Sequence, residues 1–77
     1  MVSVTRHLDV TGLLCPMPVI QTQNCVAELC PGDVLSIRCT DPGALLDIPA
    51  WCRVLGHVLL STDENPEEIV IVIRVSS

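Results

Sequence analysis

Between Val34 and Thr40 apolar and polar residues alternate, with Leu35, Ile37 and Cys39 set against Ser36, Arg38 and Thr40. A two-residue period belongs to a strand with one buried and one wetter face. Val4, Thr5 and Leu8 predict an earlier strand over residues 3–9. Between the two, Val19, Thr22, Val26 and Leu29 recur at helical spacing while Gln21, Gln23, Asn24 and Glu28 fall off that stripe. This predicts a helix from Pro16 to about Cys30, stopped by Pro31-Gly32-Asp33. Asp41-Pro42 opens a second helical region, with Asp41 as N-cap. Because a proline breaks a helix interior, Pro49 predicts a short first turn and a fresh start capped by Asp47. That second piece runs through Trp51 and Val54 and stops at Gly56. His57 to Thr62 and Glu67 to Val75 read as two strands joined around Asp63-Glu64-Asn65-Pro66, an antiparallel hairpin.

The element order is therefore β-α-β-α-β-β. A right-handed crossover makes the first two strands parallel. Two helices on one face of the sheet give a two-layer α/β sandwich of the α+β kind. The last strand is apolar on both sides, which suits a central position. If Arg74 points away from the helices, Val70 and Val72 do too, forming either a contact patch or simply scattered surface valines.

Seventy-seven residues make one small domain spanning 1–77, and 49% apolar content argues against disorder. The longest apolar run, Ile69 to Ile73, is far short of a membrane span. The start, Met1 to His7, lacks the layout of a signal peptide, and the expectation is a cytoplasmic monomer. Five cysteines are an odd number in a chain with no secretory signal, which speaks against a disulfide framework. Their spacings contain no Cys-x-x-Cys and neither histidine completes a zinc pattern, so neither metal nor other cofactor is expected. Nine carboxylates face four arginines, with no lysine, and Trp51 is the sole aromatic ring apart from two imidazoles. Direct nucleic-acid binding, which uses basic stripes and stacking aromatics, is not expected.

The segment with chemistry in it is Cys15-Pro16-Met17-Pro18, after a strand and the turn glycine Gly12 and at the mouth of the first helix. Prolines fit a first helical turn, whose N–H groups have no intrahelical acceptor. With Cys15 near the N-cap, the N–H groups of Met17 and Val19 are expected to stay free near the sulfur. The positive end of the helix dipole then favours thiolate over thiol. Cys15 is the candidate reactive sulfur, although a small buried hydrophobe is its plainer reading. Cys52 is either a second, resolving thiol or a packed helix residue. A disulfide between the two would need Cα atoms within about 7 Å. Cys39 reads as core, and Cys25 and Cys30 as incidental near the end of the first helix. Asp9 and Asp41 read as turn and cap residues, Trp51 as a core anchor, and His57 as a structural histidine.

Leu8-Asp9, Gly12, Cys15-Pro16-Met17-Pro18, Pro31-Gly32, Asp41-Pro42, Asp47-Ile48-Pro49-Ala50-Trp51-Cys52 and Gly56-His57 together resemble the TusA/SirA-like sulfur-carrier family, over nearly the whole chain. The resemblance implies a fold like the C-terminal domain of bacterial translation initiation factor three, a four-stranded mixed sheet of order 1-2-4-3. It implies that Cys15 accepts sulfane sulfur as a persulfide, with Pro16, Met17 and Pro18 shaping its surroundings and Asp41 in a partner-binding rim. It also implies a cysteine desulfurase or rhodanese as donor and a downstream sulfur carrier as acceptor, serving tRNA thiolation, cofactor sulfuration or sulfur oxidation. Many relatives carry basic residues on the exposed face of the first helix, where this chain has Gln21, Gln23, Asn24 and Ala27. That departure keeps a second reading open, a non-catalytic regulatory or interaction module of the same fold. A thiol–disulfide redox protein using Cys15 with Cys52 is a third.

Overall fold

The computed structural model describes residues 3–76. Six elements follow in order: β1 (Arg6–Val10), α1 (Met17–Val26), β2 (Val34–Cys39), α2 (Ala44–Leu55), β3 (Val58–Glu64) and β4 (Ile69–Arg74). The sheet order is β1-β2-β4-β3, with β1 parallel to β2 and the two other pairings antiparallel. The expected architecture and strand order are both present. Helix α1 packs on β1 and β2, α2 packs on β3 and β4, and the helices touch.

The core lies between the layers. Leu35, Ile37 and Cys39 from β2 meet Ile69, Ile71 and Ile73 from β4, with Val10, Cys25, Ala44, Ile48 and Cys52 closing over them. Val70 and Val72, on the other face of β4 with Arg74, are half-buried. That face also carries Arg38, whose guanidinium ties Glu68 at 2.6 Å and Asp9 at 3.5 Å.

Several boundaries shift for identifiable reasons. β1 begins at Arg6, because Thr5 enters only by its amide, which donates to the Val34 carbonyl (2.7 Å), and by its hydroxyl, which accepts from the Val34 amide (3.0 Å). Helix α1 ends at Val26, four residues early. Beyond it, Glu28 and Leu29 donate to carbonyls three residues back (3.0 Å each), and the Cys30 amide turns to the Asp33 carboxylate (2.8 Å). The Pro31-Gly32-Asp33 turn thus draws the chain out of the helix before its expected end. The stripe is also wider than the sequence pattern: Pro18 and Cys25 are buried with Thr22, whose hydroxyl donates to the Pro18 carbonyl (2.8 Å), so Cys25 is core. In the hairpin, β3 runs on past Thr62 through Asp63 and Glu64, and Asn65 Oδ1 accepts the amides of both Glu67 and Glu68 (2.9 Å each), so the turn shifts to residues 65–68 and β4 starts at Ile69.

Helix α2 is the largest departure: it runs unbroken through Pro49. Asp47 starts no new helix, since its own amide donates to the Gly43 carbonyl (3.0 Å). The proline ring is buried beside Ile48 and Cys52 on the core face, so apolar packing offsets the one i→i−4 hydrogen bond that proline removes. Asp41 stands two residues ahead of the N-cap, Gly43, and its Oδ1 accepts the Gly43 amide (3.1 Å). Gly56 ends the helix as expected, in the left-handed conformation at φ 84°. Just beyond it, the His57 ring packs against Trp51 in a tilted contact at 5.1 Å, and its Nδ1 accepts the Ser76 amide (3.0 Å).

Candidate functional site

Parallel pairing of β1 with β2 places the loops after both strands at the same end of the sheet. The first loop is folded tightly: Asp9 Oδ1 accepts the Thr11 amide (2.9 Å) and hydroxyl (2.7 Å), and the Gly12 amide donates to Thr40 Oγ1 (2.9 Å). Gly12 takes φ 81°, a conformation that glycine adopts without strain. The chain then delivers Cys15 to the start of α2, where its amide donates to Asp41 Oδ2 at 2.6 Å. The Cys15 thiol is exposed and donates to Asp47 Oδ2 at 3.0 Å.

This differs from the expected thiolate environment. Pro16 is the N-cap of α1 and offers no side-chain cap, and the Met17 amide is taken by the Leu14 carbonyl (2.9 Å) rather than left beside the sulfur. The Asp47 hydrogen bond pushes the Cys15 thiol up from its ordinary value, helped by desolvation and by the charges of Asp47 and Asp41. The carboxylates of Asp47 and Asp41 therefore work against the thiolate at this site. Cys15 is held twice, its amide donating to Asp41 and its Sγ to Asp47.

Of the residues singled out in the sequence, Asp41 is brought to Cys15 through the Cys15 amide, Pro16 and Met17 follow it in the chain, and Pro18 is buried in the core. Cys52 does not line this surface: it is 1% exposed within the core, where burial pushes its thiol up. Cys39 is likewise buried and raised, while Cys30 is exposed. Asp47 was read from sequence only as a cap. The available signal was the parallel pairing, which requires the residues after Val10 to meet those after Cys39. Leu14 and Met17, near Cys15 in the chain, and Leu46, next to Asp47, are exposed. A cleft of about 350 Å³ lies elsewhere, between α1 and β1, lined by Arg6, His7, Gln21, Asn24 and Glu28 among others and excluding Cys15. Arg6 and Glu28, which line it, are paired with each other at 2.7 Å. Among the described residues, no group of three or more His, Cys, Asp or Glu stands placed to hold a metal ion, and no helix is long and apolar enough to cross a membrane.

The two-layer domain presents the exposed Cys15 thiol on a loop tied to the start of α2, open to another protein's reacting group. The family model described as sulfurtransferase TusA matches residues 6–75, and the chain belongs to that family of sulfur carriers. It is 43% identical over 70 residues to a putative sulfur carrier protein of Neisseria meningitidis, covering 91% of this chain and 95% of that one. It is 46% identical over 63 residues to the sulfur carrier protein TusA of Pseudomonas aeruginosa, covering 82% of this chain and 80% of that one. In fold it is similar to a SirA-like protein of Desulfitobacterium hafniense, at TM-score 0.81 and 22% identity, covering 94% of this chain and 99% of that one.

Proposed function

We propose that this protein carries sulfur as a persulfide on Cys15, taking it from one protein and passing it to another. The observation that supports this best is the exposed Cys15 thiol, tied by its amide to Asp41 and reachable by a partner's sulfur. In the loading step the Cys15 Sγ electron pair attacks the outer sulfur of a donor persulfide. The Sγ–S bond forms and the donor's S–S bond breaks. The donor sulfur leaves as a thiolate that takes up a proton, so a thiol and a persulfide exchange places with no oxidant consumed. Donors of this chemistry are a cysteine desulfurase, fed by cysteine, or a rhodanese, fed by thiosulfate. The acceptor is a downstream sulfur-carrier protein. The unit that acts is the single domain 1–77, as a monomer in the cytoplasm, where a reducing poise keeps thiols free.

Asp41 serves in this reading as the clamp of the thiol loop and as part of the rim a partner meets. Cys52 has no part in the transfer, since a sulfur that is 1% exposed is out of reach of a partner. The test is the intact mass of reduced protein after exposure to each donor system, with Cys15→Ser in parallel. A gain of one sulfur atom, reversed by reductant and absent from Cys15→Ser, is the expected result. Equal gain in Cys15→Ser defeats the reading. No gain from either donor turns the choice to an interaction module of the same fold.

A further inference from the structure

A thiol is mostly protonated at neutral pH, and the hydrogen bond from Cys15 Sγ to Asp47 Oδ2 (3.0 Å) gives that proton a defined place from which it has to leave during the transfer. Two acidic groups bear on Cys15: Asp41, in the turn ahead of α2, and Asp47, in the first turns of α2. The first turn of α1 brings no acidic residue. Their positions differ in kind. Asp41 is occupied by two backbone amides, those of Cys15 (2.6 Å) and Gly43 (3.1 Å). Asp47 holds the sulfur itself, Sγ to Oδ2 at 3.0 Å. None of the three ion pairs among the described residues engages Asp47.

We propose that Asp47 is a catalytic residue of sulfur loading: its Oδ2 accepts the Cys15 proton as Sγ attacks the donor's outer sulfur. This deepens the carrier reading and rests on it. In the step, the S–H bond of Cys15 breaks as the Sγ–S bond forms. The proton goes to Asp47, the donor's S–S bond breaks, and its electron pair leaves on the donor thiolate. Asp47 then returns the proton to that thiolate, and the carboxylate is restored. A carboxylate is a much weaker base than a thiolate, and a concerted step favours that. The thiol proton is held firmly at the start and becomes steeply more acidic as sulfur–sulfur bonding develops, so it passes to a weak base placed in advance. The same arrangement keeps the free protein quiet. Oxidation and alkylation follow thiolate character, and an exposed sulfur kept as thiol is spared both until a sulfane donor is docked.

The role and its simplest rival predict opposite signs for Asp47→Asn. If Asp47 only suppresses the thiolate, removing its charge speeds every reaction of Cys15. If it accepts the proton, alkylation by iodoacetamide at neutral pH becomes faster, because that reaction uses preformed thiolate. Single-turnover loading from the persulfidated donor that loads the wild type becomes slower, by about a hundredfold. Loading by the wild type, which proceeds from the neutral thiol, stays nearly flat with pH below the thiol's titration. In Asp47→Asn it rises by about tenfold per pH unit, as a thiolate-only path must. Asp47→Glu, which keeps a carboxylate, retains loading within about tenfold of wild type. Loading in Asp47→Asn as fast as wild type overturns the proposal, as does a wild-type profile that itself climbs tenfold per unit, a result that needs no variant to fold. Wild-type protein that takes up no sulfur defeats the carrier reading and this role with it. A wild type that loads beside an equally fast Asp47→Asn defeats only the role of Asp47.

Discussion

One carboxylate, that of Asp41, holds both the backbone of Cys15 and the entry to α2, through hydrogen bonds of 2.6 Å to the Cys15 amide and 3.1 Å to the Gly43 amide. The thiol loop and the helix that carries Asp47 are therefore one mechanical piece. Asp41→Ala removes both bonds, and a lost capping interaction costs about 1 kcal/mol. In a domain of this size that corresponds to a fall of roughly 4–8 °C in Tm, read by thermal melts followed by circular dichroism. Asp41→Asn, which keeps one acceptor, falls less. It also raises Cys15 alkylation less than Asp47→Asn does, because Asp41 acts on the sulfur through charge while Asp47 also hydrogen-bonds it.

Cys52→Ala separates the carrier from a dithiol redox protein. Cys52 is buried among core residues, so its loss leaves a small cavity and lowers the urea midpoint, a truncation of about one heavy atom costing on the order of 1 kcal/mol. Sulfur loading at Cys15, read by intact mass, stays at wild-type level. Loss of loading with the fold intact would restore Cys52 as a partner thiol.

Stability falls at alkaline pH. Burial pushes the thiols of Cys39 and Cys52 up, the charge of Asp41 adding to the first, and a Cys15 neighbour carboxylate does the same at the surface. A folded-state value above the unfolded one means that the unfolded chain loses these protons first. The contribution is complete below the ordinary thiol range and is lost as pH rises through the raised values. Urea midpoints measured stepwise from neutral pH upward should decline through that window. In Cys52→Ala the decline should be shallower, and an unchanged slope would remove Cys52 from this account.

Gly56→Ala isolates the cost of a helix stop. A Cβ placed there meets nothing within 4 Å, so the penalty is backbone strain alone, from φ 84°. A left-handed non-glycine residue costs about 1–2 kcal/mol, with loading at Cys15 unaffected. A core truncation such as Ile37→Ala costs more, about 2–5 kcal/mol, because Ile37 is wholly buried between the layers. Against a total stability of about 4–11 kcal/mol for a chain of this length, that is a large share, read as a clear fall in the urea midpoint.

How much of this was legible in the sequence depends on the range of the force involved. The alternation of Leu35, Ile37 and Cys39 and the two-sided apolar run of Ile69 to Ile73 placed the central strands, because strand period and burial are written locally. Gly56 marked the stop of α2 for the same reason. Pro49 misled, because the local rule that a proline ends a helix is set aside by packing of its ring under α2, a tertiary effect. The early end of α1 goes with the tightened turn that Asp33 closes on Cys30 through its carboxylate and its amide, again absent from any periodicity. At the site, Cys15 and its prolines were visible as a motif. The state of the sulfur was not, because the helix terminus can be read along the chain whereas the carboxylate against the sulfur comes from 32 residues away.

Trp51 and His57 have a practical consequence. The chain holds one tryptophan and neither tyrosine nor phenylalanine, so its ultraviolet emission comes from a single indole. That indole lies four residues after Asp47, one turn along the same helix, where side chains are neighbours at about 5–6 Å between Cβ atoms. The His57 ring lies 5.1 Å from it, tilted by 38°. The helix that holds the sulfur therefore carries its own optical reporter, and loading of Cys15 can be followed by stopped-flow fluorescence without a dye on any of the five thiols.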